Sequence, residues 1–234
     1  MNLEVIREVF DFSYFWEYRA FLLRGLLFNF YVFAFAWLLA VAAGFAVCLL
    51  RVSHNRVARA CGTFYVELFR NTPEYVFLVW VHFVVPLLVT RLIQTQVNFS
   101  PSFSAILALG ICYSGYLAET FRAGFQAIPR GHIEAAQALA MPRLLVVRRI
   151  ILPQALRQML PEVLNNSVSI FKATSIISLI AVPDLMYQVV IVVQEEMRPI
   201  PLYSSAALIF FALIYAMSWS VEKITAAWRA RGWA

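Results

Sequence analysis

The run FLLRGLLFNFYVFAFAWLLAVAAGFAVCLL, residues 21–50, carries a single charge, Arg24, in thirty residues. About 20 apolar residues cross the hydrocarbon core of a bilayer, so this run spans it with tilt or projects beyond the lipid. Arg51, His54, Arg56 and Arg59 close it. The rest of the 234-residue chain has the same character: 62% apolar, 15% aromatic and 14% charged. Ordinary soluble domains hold about 45–50% apolar and about 25% charged residues. A core of this size cannot hide so much apolar surface. A soluble enzyme, a disordered chain and a collagen-like chain are excluded together. The composition predicts an all-α polytopic membrane protein.

Outward from that run the chain alternates between apolar and polar stretches. Arg70-Asn71-Thr72-Pro73 punctuates a short helix from Cys61 to Phe69, because a residue preceding proline avoids helical geometry. Further spans are expected at about 75–89, 103–121, 154–182 and 202–221. Val189 to Val193 is too short to cross, and Asp184 to Pro201 is expected as a surface helix outside the membrane. The expected organisation is an N-terminal extracytoplasmic segment 1–20, a transmembrane domain 21–228 and a cytoplasmic tail 229–234. The opening MNLEVIREVFDF lacks the basic start and apolar run of a signal peptide.

The net charge of +6 does not call for nucleic acid, because the basic residues fall between apolar runs. Thirteen Lys and Arg lie in 51–70, 122–157 and the tail, against five on the alternate side. The positive-inside rule then puts the N-terminus outside and the C-terminus inside. A sixth span through Val189–Val193 would reverse the tail and contradict this bias. Cys48, Cys61 and Cys112 have neither metal nor disulfide spacing and read as buried packing residues.

The fourth span is unusual. At 100° per residue, Glu162, Asn165, Asn166, Ser169 and Lys172 share an arc of about 120°, opposite Leu160, Leu164, Val168 and Phe171. Such groups facing lipid would cost on the order of 2–3 kcal/mol or more each. They therefore face protein or water, either in a packed interface or as the wall of a polar path. Thr174 and Ser175 extend the polar run, and Pro161 removes one helix hydrogen bond and favours a kink. Glu119 and Arg122, three apart, can pair on one helix face.

Between the third and fourth spans, Gly131 to Met141 is a short helix-forming segment flanked by Pro129 and Pro142. Its small-residue face suits docking into a groove on another protein or lying on the membrane surface. The chain contains no GxxxxGK[ST] phosphate loop, no Ser/His/Asp constellation and no metal-ligand spacing.

EAAQALAMPRLLVVRRIILPQALR (Glu134–Arg157) resembles the EAA loop of permease subunits of bacterial ABC importers. Glu134, Ala135, Ala136, Ile150, Leu152 and Pro153 keep the family register, with Ala140 in place of its glycine. ELFRNTP (67–73), SGYLAETFRAGFQAIPRG (114–131) and FKATSIISLIAVPDL (171–185) are similar to motifs of the polar amino acid uptake branch. VWVHFVVPLL (79–88) is similar to acidic amino acid permeases.

The resemblance implies a type I importer permease core of five spans in a bacterial inner membrane. It implies a second permease subunit, identical or related, two cytoplasmic ATPases and an extracytoplasmic amino-acid-binding protein. Gly131, Glu134, Ala135, Ala136, Ala140 and Met141 would dock the ATPase. Glu162, Asn165, Asn166, Ser169, Lys172, Thr174 and Ser175 would line the path. This chain would hold no cofactor, because ATP and Mg belong to the ATPase, and it would not be an enzyme. The alternatives are a gradient-driven secondary transporter, for which inverted repeats are expected and none is found in the sequence, and a non-transporting membrane scaffold.

Overall fold

A computed structural model describes residues 13–230. The expected segment 1–20 falls outside them up to residue 12, and the expected tail 229–234 from residue 231. Every regular element among the described residues is helical. In chain order these are α1 (Ser13–Glu17), α2 (Arg19–Arg51), α3 (Arg56–Arg70), α4 (Glu74–Ile93), α5 (Pro101–Gln126), α6 (Arg130–Ala138), α7 (Arg143–Ile180), α8 (Leu185–Glu196) and α9 (Pro199–Ala230). Five of them, α2, α4, α5, α7 and α9, are long and apolar enough to cross a membrane.

Two of these spans change helix type. In α4, Trp80–Val84 is a π turn, and Val85 N–H donates to Trp80 O. In α7, Val147–Ile151 is a π turn, and Leu152 N–H donates to Val147 O. Each ends two residues before a proline, Pro86 or Pro153. Proline offers no N–H, and its ring crowds the carbonyl four residues back; the wider turn accommodates both. The helical assignment continues unbroken through Pro161, up to Ala173, before tightening to 3₁₀ geometry over Thr174–Ile180.

The chain folds as two compact units, and α2, α5, α7 and α9 each contribute a segment to both. The first comprises the described parts of Met1–Leu38, Pro73–Gly110 and Val168–Ser220. Its core packs Leu22, Phe171, Leu185, Val189, Val192 and Leu202 together. The second comprises Leu39–Thr72, Ile111–Ser167 and the described part of Val221–Ala234. There Val47, Val66 and Ala118 pack around Tyr65, and Tyr65 Oη meets Ser114 Oγ at 2.7 Å.

Two sequence expectations need correction. Residues 184–201 do not form a surface helix: α8 buries Leu185, Gln188, Val189 and Val192 in the first unit's core. At 12 residues it rises about 18 Å, too little to cross. Asp184 caps its start, accepting from Tyr187 N–H over 2.8 Å. Second, Cys61 is exposed, whereas Cys48 and Cys112 are buried. The helix that carries the expected fourth span, 154–182, itself starts at Arg143. The arginines at 143, 148 and 149 ride on the helix itself, since arginine is a good helix former.

Candidate functional site

The segment that the sequence singles out between the third and fourth spans folds as α6, introduced by Pro129 in extended geometry. Its end is a Schellman turn: Met141 N–H donates to Ala136 O over 3.1 Å and Ala140 N–H to Gln137 O over 2.9 Å. The residue at the left-handed position is Ala140, with φ 50°. This position normally takes glycine, so an alanine there bears strain of roughly 1–2 kcal/mol.

The turn decides which side chains are offered outward. Gly131, Glu134, Ala135 and Ala140 are exposed, and Met141 is half-buried. Ala136 is turned into the second unit and seats the helix rather than presenting it. A Cβ on Gly131 would meet nothing within 4 Å, so its smallness is not demanded from within this chain. Two bare leucines stand outside the expected docking set, Leu139 at 76% and Leu144 at 80% exposure. Beside them an open groove of about 690 Å³ lies between His54, Ile133, Gln137, Ala140, Met141 and Arg143.

One contact joins α6 to α7, and a close approach joins α5 to α7 beside it. His132 Nδ1 hydrogen-bonds Gln154 Oε1 over 2.9 Å, joining α6 to α7. At Gly124 a Cβ would come within 3.0 Å of Met159, so α5 and α7 approach closely where α5 leads into α6. Further along α5, Glu119 binds Arg122, as its spacing predicts, and also Arg51, which the sequence does not link to it.

The polar stripe of α7 divides on folding. Glu162 and Asn165 are exposed; further along the helix Ser169 is half-buried and Lys172 exposed. Their spacing of three, four and three keeps them on one side of the helix. Asn166 is buried and spends its amide on Glu162 O at 2.9 Å. Val168 and Phe171 are buried opposite. Ser175 is half-buried and donates to Lys172 O over 2.8 Å.

Thr174, grouped by sequence with the path, is fully buried in the first unit. Its hydroxyl donates to Phe171 O over 2.7 Å and accepts from Asn29 Nδ2 over 3.1 Å. Asn29 also donates to Asp184 Oδ2 and accepts from Leu185 N–H over 3.0 Å. Asp184 has no exposed surface, and burial pushes its carboxyl from 3.8 up to about 7. At Gly25, one turn before Asn29, a Cβ would come within 2.7 Å of Asp184 O, so only glycine lets α2 approach this node. The node is structural, and only a long-range contact reveals it.

No groups of three or more His, Cys, Asp or Glu among the described residues could hold a metal. What the geometry offers is a short, largely exposed helix and a hydrophilic side on a helix long and apolar enough to span.

Residues 36–229 match the family described as binding-protein-dependent transport system inner membrane component. The chain is 31% identical over 172 residues to the "Putative glutamine transport system permease protein GlnP" of Rickettsia prowazekii (strain Madrid E), covering 74% of this chain and 76% of the relative. It is 33% identical over 152 residues to the histidine/lysine/arginine/ornithine transport system permease protein HisQ of Escherichia coli (strain K12), covering 63% of this chain and 67% of the relative. Its fold is similar to a chain in the crystal structure of an amino acid ABC transporter with histidines, with TM-score 0.83 and 28% identity over 93% of this chain and 98% of that one. The inward-facing MetNI methionine ABC transporter shares the fold at TM-score 0.69 and 18% identity, over 91% of this chain and 98% of that one. These likenesses describe a multi-pass membrane transport component and not an enzyme. The chain belongs to the family of binding-protein-dependent transport system inner membrane components.

Proposed function

We propose that this chain is one of two membrane-spanning subunits of an ATP-driven importer of polar amino acids in a bacterial inner membrane. The observation that carries the reading is the exposure of Glu162, Asn165 and Lys172 on a helix long and apolar enough to span. A hydrophilic side on such a helix is tolerated only against protein or water. A second subunit, identical or related, meets that side, and Glu162, Asn165, Ser169 and Lys172 border a wet path between the two. Asn166, Thr174 and Ser175 support this helix from within the chain.

Coupling runs through α6. Glu134, Ala135, Ala140 and Met141, with Gly131 kept small, enter a cleft on a cytoplasmic ATPase, one per permease subunit. Leu139 lies in the same contact. ATP and Mg are held by the ATPases, and their closure moves α6, which carries α5 and α7 through Gly124 and His132. An extracytoplasmic binding protein delivers the amino acid. The N-terminus lies outside and the C-terminus inside, as the Lys and Arg asymmetry requires. The named relatives support a polar amino acid as cargo, whether glutamine or a basic one.

The test is reconstitution of the purified complex in vesicles, followed by uptake of labelled glutamine, glutamate and arginine. Uptake is expected to require both ATP and the binding protein. Uptake driven by an ion gradient with this chain alone overturns the reading.

A further inference from the structure

The first span carries a feature that the transport reading does not use. Along one side of α2 the exposed rings of Phe28, Tyr31 and Phe35 contact one another, with centroids 6.3 Å and then 4.9 Å apart. Above this ladder an open groove of about 530 Å³ is lined by Arg24, Leu27, Phe28, Tyr31 and Ser102. Arg24 is exposed and is not a member of the ion pairs that Glu119 makes. Among the described residues, no carboxylate lines the groove.

Depth identifies what fills it. Arg24 and Arg51 lie on the same helix, and at 1.5 Å per residue they are about 40 Å apart. A bilayer with its headgroup layers is about 40–45 Å thick. With Arg51 in one headgroup layer, Arg24 stands at the phosphate level of the other, and Phe28, Tyr31 and Phe35 lie in the acyl layer beneath it. A guanidinium binds phosphate oxygens in a bidentate fork, and the Ser102 hydroxyl adds a donor.

We propose that this groove is a binding site for an acidic phospholipid, whose phosphate is held by Arg24 and Ser102 and whose acyl chain lies along Leu27, Phe28, Tyr31 and Phe35. The acidic class follows from the charge of Arg24 and from the described lining, in which the ammonium of a zwitterionic headgroup finds no carboxylate.

The test uses the whole purified transporter, stripped in detergent and exposed to phosphatidylglycerol or phosphatidylethanolamine, with retained lipid counted by native mass spectrometry. Wild-type is expected to retain phosphatidylglycerol preferentially. Arg24→Gln is expected to lower that retention about ten-fold, the loss of a charge-assisted phosphate contact. Arg19→Gln serves as control, because Arg19 sits over Trp16, outside the groove. Equal retention of the two lipids, or Arg24→Gln retaining as much as wild-type, overturns the proposal. A photoreactive benzoylphenylalanine at position 28 gives an independent readout in vesicles. It is expected to cross-link to lipid; cross-linking to the second permease subunit instead means that protein covers the groove and also overturns it.

Discussion

Asn29 Nδ2 and Asp184 Oδ2 meet at 3.3 Å although 155 positions separate them, and neither residue has any exposed surface. The bond joins the first span to the cap of α8. Asn29→Leu would strand the Leu185 N–H and remove a donor from Asp184. Each buried polar group left unsatisfied costs about 1–3 kcal/mol. We expect the thermal midpoint of the solubilised protein to fall by several degrees; an unchanged midpoint would show that the node is not structural.

The same carboxyl makes stability depend on pH. Burial raises Asp184 from 3.8 to about 7 in the folded chain. The folded state then binds more protons than the unfolded state between these values, so stability falls as pH rises through that window. Asp184→Asn, which keeps an oxygen to cap Tyr187 N–H, should flatten the dependence. Thermal midpoints measured from pH 4 to pH 8 check this; a parallel slope in the variant is the contrary result.

Glu119 is bound to both Arg51 and Arg122 at partly exposed positions. Solvent screening limits the value of each pair, so Glu119→Gln should cost about 1–2 kcal/mol. In a double-mutant cycle with Arg51→Met, the two losses should sum to more than the double mutant shows. Strict additivity would mean that the ion pair contributes nothing.

Ala140 occupies a left-handed position with φ 50°. Ala140→Gly should stabilise the end of α6 by about 1 kcal/mol and keep transport coupled. Ala140→Val should do the reverse, since a β-branched side chain fits this region poorly. Denaturation midpoints together with ATP-dependent uptake report both effects.

Docking and folding can be separated at α6. Gly131→Ala meets no neighbour and should leave the midpoint unchanged, and Glu134→Lys alters an exposed side chain. Both are expected to uncouple ATP hydrolysis from uptake several-fold or more. Normal coupling in both variants removes the docking role.

On α7 the adjacent asparagines should respond differently. Asn165→Leu, at an exposed position, should lower uptake at a smaller cost in midpoint than Asn166→Leu. Asn166→Leu, at a buried and hydrogen-bonded one, should lower the midpoint by an amount equivalent to about 1–3 kcal/mol. Uptake and thermal stability measured on both distinguish a path-facing side chain from a packing one.

Much of this was legible without coordinates. The 20-residue scale of a bilayer shows directly in apolar runs such as 21–50, so the number of spans follows from one-dimensional reading. The Glu119–Arg122 pair is local and follows from helical spacing. Arg51 joining that pair is a contact 68 positions distant, which no periodicity encodes. α8 shows the same gap: its apolar run is too short to cross, and only packing against Leu22 and Phe171 makes it part of a core.

Sequence alone determined the membrane class, the hydrophilic stripe and the short helix between Pro129 and Pro142, because each depends on composition and on the fixed geometry of a helix. Tertiary structure alone decided which members of the stripe point outward, that Ala136 turns in while Leu139 stays bare, and that Thr174 belongs to a buried node with Asn29 and Asp184. The reason is physical. A helical period fixes the angle between side chains on one helix, but whether a given angle meets solvent or a neighbour depends on residues far away in the chain.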